Sequence, residues 1–386
     1  MRIAAIACFS VLGALAVSVS AAQQCTLPAT GQNLCYGWGG SEPCPVPGFP
    51  GQDAEHVYNP MSYLLDTSVP EEPTVRDLVT GLEWTQTRWE SMTWQAALQW
   101  CADSLNARHY GGHTDWRLPD VKELASISDF GRSSPAIDPV FALESPPLEP
   151  RFWSSTTVHQ SPDQAWEVAF ATGNDIGCAG EYHPCTKTNI AFVRAVRGDA
   201  TGVPATGQTR CYDNTSEQPC PVAGFPGQDA EHVGNPMSYV EDSSVPVQEV
   251  IQDLVTGLEW TKQHWGSMDW QDALQWCADS LNAIAYSGRQ AWRLPNAKEL
   301  QSIVDYGRAY DAMDPIWGPP FGGHYWSGTT WVHVEYGAAW VMSPGDGTIR
   351  VLPKVSASAH VRAVRCQTGP TRVQKTTWGA IKSMYR

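Results

Sequence analysis

Two kinds of hydrophobic period alternate along this chain. Trp94, Ala97, Leu98, Cys101 and Leu105 recur at the spacing that lines one face of a helix, with polar residues between them. Thr93, just ahead of the run, is a suitable N-cap. A second helix is predicted after Leu118-Pro119. Asp120 is its N-cap and Glu123 stands three residues on, an arrangement like a capping box. Gly131 fits the C-terminal end of that helix. The pattern then changes to short runs, Phe152 to Thr156, Ala165 to Phe170 and Phe192 to Val196, separated by loops rich in Gly, Asp and Asn; these predict strands. Leu78 to Trp84 reads as a further strand with a Gly turn. Two helices and a mostly antiparallel sheet make an α+β domain.

The pattern is written twice. Gly48 to His56 recurs as Gly224 to His232, and Asn59 to Tyr63 as Asn235 to Tyr239. Asp77 to Ala107 returns almost unchanged as Asp253 to Ala283, with Asp269 now in the N-cap place. Trp116-Arg-Leu-Pro119 recurs as Trp292 to Pro295, and Val193 to Arg197 as Val361 to Arg365. Gly307 repeats Gly131. Two copies of so long a unit mean tandem globular domains rather than a solenoid. The joint falls near Gly198 to Pro204, which gives units over 23–200 and 201–368. Residues 1–22 read as an export signal: Arg2, an apolar stretch from Ile3 to Val19, then Ser20-Ala21-Ala22. Residues 369–386 form a basic tail with Arg372, Lys375, Lys382 and Arg386.

Composition narrows the function. With 42% hydrophobic and 17% charged residues the chain can bury a core, so wholesale disorder is excluded. A net charge of -15 disfavours a general nucleic-acid binder. No apolar run after the leader reaches the length of a membrane span. Beyond Cys8 the cysteine count is even, which in an exported chain reads as disulfides. Cys35–Cys44 and Cys211–Cys220 are equivalent local pairs, and Cys178–Cys185 closes an insert of the first unit. Most of the 18 Trp have repeated counterparts at apolar positions and belong to the core. Trp89 and Trp265, read as loop residues, and Trp331, which has no counterpart, are candidates for stacking on a sugar or a partner protein.

Few residues carry chemistry. Arg117 with Glu123, and Arg293 with Glu299, read as carboxylate clamps holding a loop to the second helix. Asp53, Glu55, Asp229 and Glu231 offer oxygens to a hard cation, although a turn with polar caps accounts for them as well. No Ser/His/Asp set, phosphate loop, zinc-protease motif or dinucleotide fingerprint is present. No cofactor is expected.

The ordered segments Thr80-Gly-Leu-Glu-Trp84, Thr93 to Asn106, Trp116 to Leu124, Phe152 to Thr157 and Val193 to Arg197, all doubled, resemble the DUF1566 family, also called the Lcl C-terminal domain. The family is similar to C-type-lectin-like and formylglycine-generating-enzyme-like folds. The resemblance implies two tandem C-type-lectin-like domains. It implies that Cys277 joins Cys366, as helix and final strand are joined in lectin-like domains. Gly198 stands where Cys366 would align in the first unit, so Cys101 is left to Cys25. The paired reactive cysteines of the formylglycine enzymes do not occur in both copies, which makes an exported oxidoreductase the weakest reading. The Ca²⁺-dependent sugar motifs of true C-type lectins are absent. The leading expectation is a secreted or cell-surface, non-catalytic, adhesin-like protein that recognises a polysaccharide, glycoprotein or surface partner. The alternative is a structural subunit of an extracellular filament or matrix, built by self-association. Family association with sulfated glycosaminoglycans is at odds with the acidic body, where Arg88, Arg108, His109, His113 and Arg151 are the modest basic set. Differences between the units concentrate in loops, so Arg108, His109, His113 and Tyr182 mark the more specialised surface.

Overall fold

Each unit builds its first helix where the apolar face predicts it. α1 (Trp94–Gln99) starts at Thr93, whose hydroxyl accepts from the Ala96 amide, and continues as a π-helical turn over Trp100–Leu105. Trp94, Ala97, Leu98, Cys101 and Leu105 are all buried. α2 (Val121–Ser126) carries the expected capping box: Asp120 accepts the Glu123 amide at 2.8 Å, and Glu123 accepts the Asp120 amide at 3.0 Å. The second unit has α3 (Trp270–Gln275), capped by Asp269, and α4 (Ala297–Ser302), capped by Asn296. α2 is shorter than expected. It stops well ahead of Gly131 because Ser128 leaves the helix to bridge Ile137. Gly131 serves another contact: a Cβ there would collide with the Gly31 carbonyl of the N-terminal arm, and Gly307 meets Gly207 in the same way. The computed structural model describes residues 25–37, 39–133, 135–143, 151–170, 185–308, 310–319, 322–332 and 337–367.

Two sheets frame the helices of each unit. In the first, an antiparallel sheet runs in the order Val196–Arg197, Glu83–Thr85, Thr74–Asp77, Tyr63–Asp66, with Val75 opposite Trp84 and Leu65. The second unit repeats it with Val364–Cys366, Leu258–Thr261, Val250–Asp253 and Tyr239–Asp242. The other sheet joins Trp89–Met92, Ala191–Val193, Arg151–Val158 and Ser161–Ala169. One parallel pairing, Phe152 against Phe192, interrupts its antiparallel order. The second unit adds Ile349–Pro353 at the edge. Two expectations change. Leu78 to Gly81 is a turn, since the Asp77 carboxylate accepts the amides of Val79 and Thr80. Trp89 and Trp265 are the first residues of strands, not loop residues. The described residues thus form two similar units, mostly sheet, with four helices and disulfides.

The arms cross. Phe49, from the arm of the first unit, packs on Trp270 of the second at 6.1 Å between ring centroids, in one core with Val46, Leu274 and Trp326. Phe225, from the arm of the second unit, packs on Trp94 of the first at 6.1 Å. The Gly48 carbonyl accepts from Gln271 and Gln275, each at 3.0 Å; the Gly224 carbonyl accepts from Gln95 and Gln99 at 3.1 and 3.0 Å. Gln32 donates to the Thr330 carbonyl at 2.5 Å and accepts its amide, while Gln208 does the same at Thr157. Each unit therefore completes the other. A third core is common to both, with Phe130 edge-on to Trp340 at 5.3 Å and Trp166 edge-on to Tyr306 at 5.0 Å. Burial of this many aromatic and aliphatic side chains is the main source of stability.

The disulfides divide. Cys35–Cys44 and Cys211–Cys220 are bonded as expected. Cys25 does not join Cys101, nor Cys277 Cys366: Cys25 is bonded to Cys366, with 5.5 Å between Cα atoms and a sequence separation of 341. Packing explains the correction. Cys101 and Cys277 each sit in the helix core of their own unit, whereas Cys366 lies in the shared core beside Cys25. Cys101 and Cys277 carry no disulfide. Cys178 lies outside the described residues, and the pairing expected with Cys185 lies there with it. The Cys25–Cys366 bond has an internal counterpart. In the first unit the last strand runs through Gly198, in the place of Cys366, straight into the second arm at Asp199-Ala200-Thr201. The peptide link at one junction and the disulfide at the other do the same job, and together they close residues 25–366 into a covalent ring.

Candidate functional site

The loop after the π-helical turn of the first unit gathers three of the expected residues. Asn106 pins its base, accepting the Trp116 amide at 2.7 Å and donating to the Trp116 carbonyl at 3.0 Å. His109 takes the left-handed conformation (φ 53°) that lets the chain fold back, and its side chain is exposed. Beneath the loop runs an aromatic ladder. Trp89 contacts Trp100 at 5.4 Å and Tyr110 at 5.6 Å, and Tyr110 contacts Trp116 at 5.7 Å. Arg108 lies over both Trp89 and Tyr110, at 5.7 and 5.8 Å, with its side chain 43% exposed. Glu72 fixes the loop from the other side, pairing with Arg108 at 3.0 Å and accepting the Gly111 amide at 2.9 Å. His113 stands 3.6 Å from Glu83 and edge-on to Trp116.

The second unit keeps the ladder and changes what it carries. Trp265 contacts Trp276 and Tyr286, each at 5.8 Å. Ile284 replaces Arg108, Ala285 replaces His109, and Arg289 replaces His113, where it is held by Asp242 and Glu259. Trp331 is not on this surface; it packs against the shared core. Tyr182 lies outside the described residues. Arg88 sits over the Phe192 ring at 4.1 Å and Arg151 lies 3.9 Å from Glu167, so these cations face local partners.

Asp53, Glu55, Asp229 and Glu231 each have protein partners, in the capped turns expected as the alternative. Asp53 accepts, on one carboxylate oxygen, the hydroxyls of Thr30 and of Thr329 in the other unit, both at 2.6 Å. Asp229 accepts Thr206 and, across the boundary, Thr156, both at 2.7 Å. Burial raises each carboxyl to about 6, against the lowering effect of the hydroxyls. Glu55 and Glu231 close capping boxes with Gln52 and Gln228. Among the described residues no group of three or more His, Cys, Asp and Glu is arranged to hold a metal ion.

The Arg–Glu pairs are bidentate clamps, as expected. Arg117 meets Glu123 at 2.6 Å through both nitrogens, and Arg293 meets Glu299 at 2.7 and 2.6 Å. Burial opposes each guanidinium charge, yet the facing carboxylate outweighs it and the arginine pKa rises. Two lysines escaped the sequence reading. Lys122 and Lys298 are buried on α2 and α4 and reach across to each other's units. In the sequence each is a lysine beside a capping-box glutamate, at Lys122-Glu123 and Lys298-Glu299, which gives no sign of burial.

Between the units lies an open cleft of about 210 Å³ floored by Trp166 and Tyr306 and rimmed by His159, Gln160, Arg308 and Asp346. None of these surfaces presents an activated nucleophile. Burial pushes the Cys101 and Cys277 thiols far up, which keeps them protonated. What the geometry offers is aromatic faces, the exposed Arg108 guanidinium and polar rims on a doubly clamped scaffold. Among the described residues no helix is long and apolar enough to cross a membrane.

The family model of the Lcl C-terminal domain matches residues 73–197 and 249–365, more than half of the chain, and the chain belongs to that family. Both matches begin after the crossed arms. No curated protein and no solved structure matches the chain.

Proposed function

We propose that this tandem member of the Lcl C-terminal domain family is an exported, non-catalytic, adhesin-like binding protein. Its two C-type-lectin-like units present loops to a polysaccharide, glycoprotein or surface partner. One observation carries the reading: the same aromatic ladder is built twice, and only in the first unit does it bear an exposed arginine, with His109 and His113 beside it. A stacked guanidinium above indole and phenol rings suits a polar, hydroxyl-rich or acidic sugar. The crossed arms tie each unit to the other, and a loop held on such a scaffold loses less entropy on binding. A glycan array with the secreted protein tests it. Binding should fall by roughly tenfold or more when Arg108 and His109 are replaced by Ala, with thermal stability nearly unchanged. Binding that survives those changes and is abolished by changes at Ile284 and Arg289 overturns the placement, and no binding to any glycan or surface protein overturns the function.

A second reading has its own support. Tyr63–Asp66 and Tyr239–Asp242 are edge strands of their sheets, and Leu64, Leu65 and Val240 on them are exposed. Unpaired edges with apolar side chains favour strand-to-strand association, as in a structural subunit of a filament or matrix. Sedimentation over a range of concentrations decides between the two: polymers favour the filament, and a monomer at all concentrations removes it.

A further inference from the structure

The two units differ at one buried arginine in a way that the repeat itself explains. In the second unit Arg293 is roofed by Tyr58, which arrives on the crossed arm. The guanidinium carbon lies 5.4 Å from the phenol centroid, and the Tyr58 hydroxyl lies 3.5 Å from Nδ1 of His56. Under that roof the Arg293 side chain is only 3% exposed. In the first unit Arg117 and Glu123 repeat the clamp, and His232 takes the place of His56. The place of Tyr58 is taken by Gly234. A Cβ on Gly234 would meet nothing within 4 Å, and its backbone is not in the left-handed region that demands glycine. Here the Arg117 side chain is 11% exposed, and a cavity of about 350 Å³ opens over it, lined by Asn106, Trp116, Asp199 and His232 among others. A smaller recess continues between Arg117, Glu123 and Gly234. The larger volume lies within the range of small-molecule sites.

We propose that the cavity over Arg117 and His232 binds a neutral phenol ring, stacked on the Arg117 guanidinium with its hydroxyl toward His232, in the manner that Tyr58 occupies the matching place in the second unit. The chain thus carries one copy of this site filled by its own side chain and one copy open. Guanidinium faces take aromatic rings well when shielded from water. Burial, with a contribution from Arg117, lowers the pKa of His232, so the ring is neutral and can accept the phenol proton. Asp199 and Asp115 line the cavity and Glu123 lies in the recess, which disfavours a carboxylate or phosphate on the ligand. The phenol can come from a tyrosine side chain of a partner protein or from a free small molecule. This site shares Asn106 and Trp116 with the base of the Arg108 loop but uses the face over Arg117, and it does not rest on the glycan reading.

Isothermal titration and saturation-transfer NMR with p-cresol, N-acetyl-tyrosinamide and phosphotyrosine test the proposal on the full secreted chain. The parent should bind one equivalent of p-cresol and reject phosphotyrosine. Gly234→Tyr should plug the cavity and weaken p-cresol binding by about tenfold or more. Tyr58→Gly should open the second site and raise the stoichiometry from one to two. Binding of N-acetyl-tyrosinamide points to a protein tyrosine as the source, and its rejection beside p-cresol binding points to a free phenol. Absence of p-cresol binding at millimolar concentration, or binding that persists in folded Gly234→Tyr, overturns the proposal. If Tyr58→Gly fails to fold, the Gly234→Tyr comparison still decides.

Discussion

The Nζ of Lys298 donates to the backbone carbonyl of Ser126 at 2.7 Å, across the boundary between the two units. Lys122 returns the bond to Ser302 at 2.9 Å. Both carbonyls sit at the C-terminal ends of short helices, where no intrahelical partner exists. Lys298 also donates to Ala29 and Lys122 to Ala205, and each amine touches a methionine sulfur, Met61 or Met237. Every ammonium proton therefore has an acceptor. Burial still lowers both amines to about 8.

Removing either lysine takes the donor from one buried serine carbonyl and one part-buried alanine carbonyl. Lys298→Ala and Lys122→Ala should each lower the unfolding free energy by about 2–4 kcal/mol, well above the effect of an ordinary surface lysine. Urea denaturation measures it. A cost below about 0.5 kcal/mol for both variants would mean that these bonds do not hold the units together.

The Cys25–Cys366 bond should appear in peptide maps of the unreduced protein, beside two thiols that react only in denaturant, Cys101 and Cys277. Replacing Cys25 and Cys366 together by Ala opens the ring and removes only the two sulfur atoms from the shared core. In the chain-entropy view the unfolded chain gains freedom, and stability should fall by on the order of 2–5 kcal/mol with the native fold retained. A Cys277–Cys366 peptide in the map contradicts the ring.

Asp53 and Asp229 titrate at about 6 in the folded chain, chiefly through burial, against an ordinary value of 3.8. Between those values the folded state binds more protons than the unfolded one. Their stabilising contribution is therefore full at the acidic end and is lost as pH rises through about 6. The swing is on the order of 2–3 kcal/mol per site. Chemical denaturation from pH 4 to 7 should show this slope, and Asp53→Asn with Asp229→Asn should flatten it. An unchanged slope in the double variant means that other groups set the pH dependence.

Much of the fold was legible because local physics wrote it. The apolar period of α1, the capping box at Asp120 and the paired Trp positions each depend on neighbours a few residues away. The Arg117–Glu123 clamp was legible for the same reason. What escaped depends on which copy a segment touches. Phe49 and Phe225 lie in the repeated segments Gly48 to His56 and Gly224 to His232, and nothing there says that each inserts into the other unit. The Cys25–Cys366 bond escaped for that reason: the pairing was sought within one unit, while the arm belongs in space to the other. The Arg108 ladder was half legible. Trp89 was singled out, but its partners Tyr110 and Trp116 come together only through the turn at His109.

The central claim is that crossed arms and a shared core make the two units one cooperative body. Differential scanning calorimetry of the protein tests it most directly. A single transition is expected, with the calorimetric enthalpy equal to the van't Hoff enthalpy, since neither unit keeps a complete core once the other unfolds. Two resolved transitions, or a calorimetric enthalpy about twice the van't Hoff value, would show two independent domains and contradict the account.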